Sequence, residues 1–303
     1  MKKFLTYLIV STNILLLVSC DKPAPTQLVD DTDSDFEVEL LNKNIDDQYV
    51  SSGSDTSGIT QDLTGITNLV SISGIKITDK IRTREFSLAQ AMFFDKSKPI
   101  KYSDGSLLSY QTLIPGMIKF NGTEAHITPY RIKFRDKGVA RDTLIGGKYV
   151  LFNFNNYGQP DPFYFSYDAS VSCEYSPFNG GTKVDFNIIT PGEITGEVTF
   201  TGRVRDKNLE VVLNWNQQRR GKIFVIVGLM RPNQLTSIPV YKIRTRDNGR
   251  LQFPGRYLNQ LPLQNFEKLV FTFIRSNETY YGSGNNVLLT SAQSIHSIII
   301  DIP

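Results

Sequence analysis

The sequence predicts an all-β protein, built as two consecutive β-sandwich domains of which the second is Ig-like in size. Three observations carry this expectation. Short runs alternate apolar and polar residues with the two-residue period of a half-buried strand. Turn-forming pairs fall between the runs at short intervals, and helical signals are few.

The elements follow in chain order. Ser87-Leu88-Ala89-Gln90 reads as a capping box opening one or two helical turns to Phe94. Asn121-Gly122 separates Ile118-Lys119-Phe120 from Glu124-Ala125-His126-Ile127, and Asn-Gly suits a hairpin because both central residues need positive φ. Asn179-Gly180-Gly181 leads into a strictly alternating run from Thr182 to Ile188, which Pro191-Gly192 closes. Glu197 to Thr201 and Leu209 to Trp215 alternate in the same way, with Trp215 in phase with the apolar Val211 and Leu213. Lys222 to Val227 is apolar on both faces, the signature of a central strand. Val240 to Arg244 follows, and Asn248-Gly249 divides Tyr241–Arg246 from Leu251–Phe253 as a further hairpin turn. Pro254 to Gln260 suits a short helix, and Leu269 to Ile274 another strand. Ile295 to Ile302 reads as a closing strand, with a strand donated to a partner as the rival reading. The boundary is placed after Val204, giving domains over 66–205 and 206–303.

The N-terminus reads as a targeting segment. Met1-Lys2-Lys3 precedes an apolar run from Phe4 to Val18, and Leu17-Val18-Ser19-Cys20 resembles the lipobox of a bacterial lipoprotein signal. That resemblance implies removal of residues 1–19 and a lipid on Cys20. Thr6, Ser11, Thr12 and Asn13 interrupt the run, which falls short of the roughly 20 apolar residues a spanning helix needs. Of the two cysteines, lipidation of Cys20 leaves Cys173 without a disulfide partner, as a small buried residue on a strand.

Charge is unevenly spread. The formal charge falls from +3 to +1 once Lys2 and Lys3 leave with the signal. Residues 21–60 hold ten acids against Lys22 and Lys43, and with their Pro, Ser and Gly content they predict a flexible acidic stalk over 20–65. Asp31-Thr32-Asp33-Ser34-Asp35 is not a calcium loop, because Phe36 and Asn42 stand where Gly and Glu are required. Residues 201–256 reverse the sign, with twelve bases against Asp206, Glu210 and Asp247. Among them Arg203, Arg205, Arg219, Arg220, Lys222, Arg244, Arg246 and Arg250 are candidates for a face that binds anionic glycan or lipopolysaccharide phosphate, since arginine forks match carboxylate and phosphate.

The order of features resembles surface lipoproteins of the Bacteroidota: a lipobox, a polar stalk and small consecutive β-sandwiches. The resemblance rests on Leu17–Cys20, on Gly116–Gly122 followed by Lys148–Tyr167, on Leu209–Trp215, and on Asp247–Pro254 leading into Tyr257–Leu261. It implies architecture and an address at the cell envelope, most often the outer membrane, and no chemistry. In that group Asp142-Thr143-Leu144 has the form of an O-glycosylation triplet, and is read here as a loop. Asn121-Gly122-Thr123 and Asn277-Glu278-Thr279 match the N-glycosylation triplet and are read as turns.

Signals for catalysis are sparse. His126 and His296 lie in different expected domains and read as surface or edge-strand residues, so no metal site is expected. No phosphate-binding glycine loop or nucleophile elbow occurs. Asp161, Asp168, Glu174 and Asp185 lie among Phe163, Tyr164, Phe165, Tyr167, Tyr175 and Phe178, a setting that suits sugar stacking but more commonly fills a β-core. The expected role is therefore non-enzymatic and cofactor-free: binding or structural association at the envelope. Its rivals are a glycan-binding accessory protein of a carbohydrate-uptake system and an anchor or subunit of a surface appendage. Other envelope proteins are candidate partners, and nucleic acid is not.

Overall fold

A computed structural model describes residues 36–41, 68–154, 163–203, 206–218, 221–234, 236–281 and 287–303. It is all-β. The described strands are β1 (Phe36–Leu40), β2 (Asn68–Thr78), β3 (Thr83–Lys101), β4 (Leu107–Leu113), β5 (Gly116–Phe120), β6 (Thr123–Glu124), β7 (His126–Asp136), β8 (Val139–Phe154) and β9 (Ser170–Pro177). They continue as β10 (Val184–Ile189), β11 (Gly196–Thr201), β12 (Glu210–Trp215), β13 (Lys222–Met230), β14 (Ile238–Arg246), β15 (Arg250–Phe253), β16 (Lys268–Tyr281) and β17 (Leu288–Asp301). One short helix, α1 (Gly255–Asn259), lies where Pro254 to Gln260 predicts it.

Ten strands form one long sheet in the order β1-β14-β13-β16-β17-β2-β3-β8-β7, with β4 also on β3. Two smaller sheets, β11-β12-β15 and β10-β9-β5-β6, supply the second layers. The β11-β12-β15 sheet shares a core with β13, β14 and β16 that contains Val211, Leu213, Val225, Ile243, Phe271 and Phe273. The other small sheet shares a core with β2, β3 and β8 built from Ile72, Ala89, Ile118, Phe120, Tyr149 and Cys173. Two sandwich-like cores thus share one sheet, joined where β17 pairs in parallel with β2 from Leu288↔Asn68 to Ile298↔Thr78.

This joint revises the expected division. The boundary at 206 falls inside the β11–β12 hairpin, whose strands pair from Gly196↔Trp215 to Thr201↔Glu210. The change of core comes earlier, between Ile188 and Ile194. The C-terminal strand is no donor to a partner here, because β17 lies inside its own sheet between β16 and β2.

Other expectations are corrected locally. Ser87 to Phe94 is not helical but lies in β3, because Ala89 and Ala91 on one face meet a core in which only a two-residue period fits. The Ser87 hydroxyl accepts the Phe165 N–H at 3.0 Å instead of capping a helix. Asn277–Thr279 and Asp142–Leu144 lie in strands β16 and β8 rather than in turns or loops. The Asn121-Gly122 turn stands as expected, with φ of 47° and 81°. Asn248-Gly249 does not close a hairpin: β14 pairs in the long sheet while β15 pairs with β12, so the chain changes layer there.

The acidic segment also differs from its reading as stalk throughout. Phe36-Glu37-Val38-Glu39-Leu40 forms β1 and pairs antiparallel with β14, from Phe36↔Thr245 to Leu40↔Tyr241. Alternation explains it: Val38 is buried in the core, Phe36 and Leu40 pack beside it, and both glutamates take the opposite face. Cys20 and the remainder of the expected stalk lie outside the described residues.

Candidate functional site

Among the described residues, the basic candidates of the second half lie at two ends of the second sandwich. Lys222, Arg244 and Arg246 share the side of β13 and β14 that faces away from the β11-β12-β15 layer, with Lys222 opposite Arg246 and Phe224 opposite Arg244. Arg250 opens β15 in the other layer, at the same end of the sandwich as Lys222 and Arg246. Arg203 lies beyond β11, at the opposite end. Arg205, Arg219 and Arg220 lie outside the described residues.

Part of this surface is already met by acid from the same chain. Glu37 stands opposite Arg244, their Oε2 and Nη1 atoms 3.6 Å apart, and Glu39 stands opposite Lys242. Lys242 is buried, its Nζ 5.0 Å from the centre of the Phe224 ring. Lys242 thereby lies against the Phe224, Ile226, Ile274 cluster on that side of the sheet, with Leu41 also packed against it. The signal for this docking was present in the apolar–acidic alternation of residues 36–40, masked by the acidity around it.

Among the described residues, two polar assemblies lie at the junction of the layers. Arg275 on β16 and Asp247 form a buried ion pair, Nε to Oδ2 at 2.9 Å. Arg275 also donates to the carbonyls of Glu193 at 2.7 Å and Asn216 at 2.6 Å, while Trp215 Nε1 donates to Asp247 Oδ1 at 2.8 Å. Every strong donor and acceptor of the pair is thus engaged, which a desolvated ion pair requires. Trp215 is core, as its phase predicts, and is no sugar platform.

His296 is the second assembly and corrects a surface assignment. It is buried on β17, where Nδ1 accepts the Gly196 N–H at 2.8 Å and Nε2 lies 3.0 Å from Thr78 Oγ1. An Nδ1 that accepts makes the ring the neutral tautomer with its proton on Nε2, donating to Thr78. Burial, reinforced by the nearby Lys76 cation, holds its pKa below the ordinary histidine value. Lys76 itself binds Glu193 and Glu85. His126 is exposed on the edge strand β7, as expected.

Of the carboxylates that the sequence singles out, Asp168, Glu174 and Asp185 do not come together in an enclosed site. Glu174 and Asp185 face each other across β9 and β10, but on the surface, and Lys183 bridges them at 3.0 and 3.3 Å. Asp168 is an exposed turn residue with φ of 48°, and Asp161 lies outside the described residues. Phe163 is core, while Tyr164 and Phe178 are exposed. Burial pushes the Cys173 thiol up to about 12, consistent with a packed, unreactive side chain. A cleft of about 370 Å³ is lined by Thr78, Asp79, Lys80 and Ile298 to Asp301. Its charges are engaged: Lys80 binds Asp301 at 2.7 Å, and Asp79 accepts the Ile81 and Arg82 N–H groups, which holds its carboxyl below the usual range. No group of three or more metal-ligating side chains occurs among the described residues, and none of their helices is long and apolar enough to cross a membrane.

No family model and no curated protein matches the chain. Among solved structures, the yeast delta-COP-I mu-homology domain in complex with a Dsl1 WxWxV peptide aligns over 77% of this chain and 98% of its own, at 8% identity and a TM-score of 0.26. A likeness that low carries neither fold nor function to this protein.

Proposed function

We propose that this chain is a lipid-anchored cell-envelope protein that acts by binding or structural association, not by catalysis. The observation that carries the reading is Leu17-Val18-Ser19-Cys20 at the end of a basic-then-apolar leader. The folded part suits such a role: cations and carboxylates are paired with each other across strands, and polar interior groups tie layers together. In the parent bacterium, a fatty-acid probe should label the wild-type protein and not Cys20→Ala, and the variant should leave the membrane fraction. Equal labelling and fractionation of the two would end the reading.

A second reading concerns the ligand. Lys222, Arg246 and Arg250 gather at one end of the second sandwich, and all three are exposed. We propose that end as a contact for anionic polymer, such as acidic glycan or lipopolysaccharide phosphate. The mature chain carrying Cys20→Ser should bind an anionic polysaccharide at 0.1 M salt and lose it at 1 M, where the Debye length shrinks from about 10 to about 3 Å. Arg246→Glu with Arg250→Glu should abolish that binding, and binding of neutral polysaccharide at equal strength would refute it.

A further inference from the structure

We propose that the outer edge of β14 is a strand-acceptor site which takes residues 36–40 of a second copy of this chain as well as its own, so that neighbouring copies exchange β1.

The site is specific in three ways. Its backbone pairs β1 over five residues, Phe36↔Thr245 to Leu40↔Tyr241. Its inner face takes apolar side chains at alternate positions, with Val38 at 2% exposure and Phe36 and Leu40 beside the same core. Its outer face offers Arg244 and Lys242 opposite Glu37 and Glu39. A strand that fits must read apolar, acidic, apolar, acidic, apolar. A slip of one residue would drive glutamates into the core and set apolar side chains against the cations. The sequence that satisfies this pattern is the chain's own.

The length of the connection lets β1 reach its own copy or a neighbour. Residues 41–67 separate β1 from β2, and 27 residues can reach at most about 90 Å. In the cis arrangement β1 and β2 lie five strand positions apart in one sheet, about 24 Å. The described pairing of β1 is with β14 alone, so exchange breaks and remakes one five-residue ladder and leaves the rest of the sheet intact. The contacts in trans are those made in cis, and the balance between them is set by local concentration. This inference rests on the proposed lipid anchor only for the confinement that raises that concentration. With Cys20 in a membrane, 15 residues lead to β1, so each anchored copy offers its strand within about 50 Å of the surface it shares with its neighbours.

The test uses soluble mature chain with Cys20→Ser, which makes the outcome independent of anchoring. Glu37 and Arg244 are direct antiparallel partners, and such Cα atoms lie about 4.5–5.5 Å apart, within disulfide range. One preparation carries Glu37→Cys, a second Arg244→Cys, and a third both; Cys173 is buried and stays reduced. Oxidation of the third at low concentration should close an intrachain disulfide. Equal mixtures of the first two should yield a covalent heterodimer in proportion to concentration, with peptide mass analysis placing its disulfide between positions 37 and 244. Adding Val38→Asp to the Glu37→Cys chain should lower the yield at least about tenfold, because the docked strand would bury an unpaired carboxylate. An intrachain disulfide in the double variant with no heterodimer from the mixture would overturn exchange. Heterodimer that forms equally with Val38→Asp would overturn it as well, since the product would then come from random collision.

Discussion

Arg275 and Asp247 carry more structural consequence than any other charged pair described in this chain. The pair joins β16 to the corner where the chain leaves β14 for the other layer, and it reaches the 193 and 216 carbonyls on the way. Removing one partner leaves a buried charge, which costs about 3–5 kcal/mol, far more than deleting a surface bridge such as Arg131–Asp142. Asp247→Ala should therefore lower urea stability by about 3–5 kcal/mol, while Asp142→Ala should stay within about 1 kcal/mol. Equal small losses in both would show that the buried pair is dispensable. His296 gives a pH dependence of definite sign. Its folded pKa lies below the unfolded value of 6.5, so the unfolded state binds more protons as acid is added. Its contribution is complete above about 6.5 and is lost as pH falls below that value toward the folded pKa. The urea midpoint of wild type should drop more between pH 8 and pH 5.5 than that of His296→Gln, and parallel curves would contradict the assignment. At this scale Trp215 is legible from phase alone, and Cys173 from its apolar character on a strand without a disulfide partner. Arg275 and His296 are not, because a polar residue in an apolar strand does not announce a partner that the chain supplies tens to more than two hundred residues away.

At the scale of elements, a two-residue period was the reliable guide, and local motifs failed where they competed with it. The Ser87 capping box is a short-range signal, and β3 overrode it by pairing with β2 over Thr78↔Thr83 to Asn68↔Phe93 and with β8 on its other side. Turn chemistry makes Asn248-Gly249 a hairpin signal, yet the buried carboxylate of Asp247 draws that corner between the layers. The small strand β1 was hidden by composition: eight acids outside it set the character of the segment, and only Phe36, Val38 and Leu40 mark the strand. Strand β11 shows how closely an element can be tied to its site. A Cβ at Gly196 would stand 2.4 Å from the Phe273 ring, while its N–H serves His296. Gly196→Ala should cost about 1–3 kcal/mol by overpacking, measured by urea denaturation, and a neutral result would mean that β11 can lift from β16 freely.

The whole molecule differs from its sequence reading in one respect that governs its behaviour. Both cores were foreseen, each from alternating strands, but the sheet that runs through them was not. A parallel pairing between β2 and β17 joins segments some 220 residues apart, and no turn signal or local period can report it. That ladder is reinforced by His296 to Gly196 and Thr78 and by Lys76 to Glu193, so the first core is bound to the strand that closes the second. Neither half is complete alone. A fragment cut at 206 takes β12 from β11, and one ending at 205 takes β17 from β2. The molecule should therefore unfold as one cooperative unit, and two native residues report the two cores separately. Trp215 is the sole tryptophan and lies in the second core, while Cys173 is buried in the first. In soluble mature chain with Cys20→Ser, tryptophan fluorescence and Cys173 thiol labelling should follow urea with the same midpoint. Disrupting the joint with His296→Ala should lower both midpoints together. Midpoints that separate in the wild type would mean that the β2–β17 ladder yields first and that the two sandwiches open as independent domains.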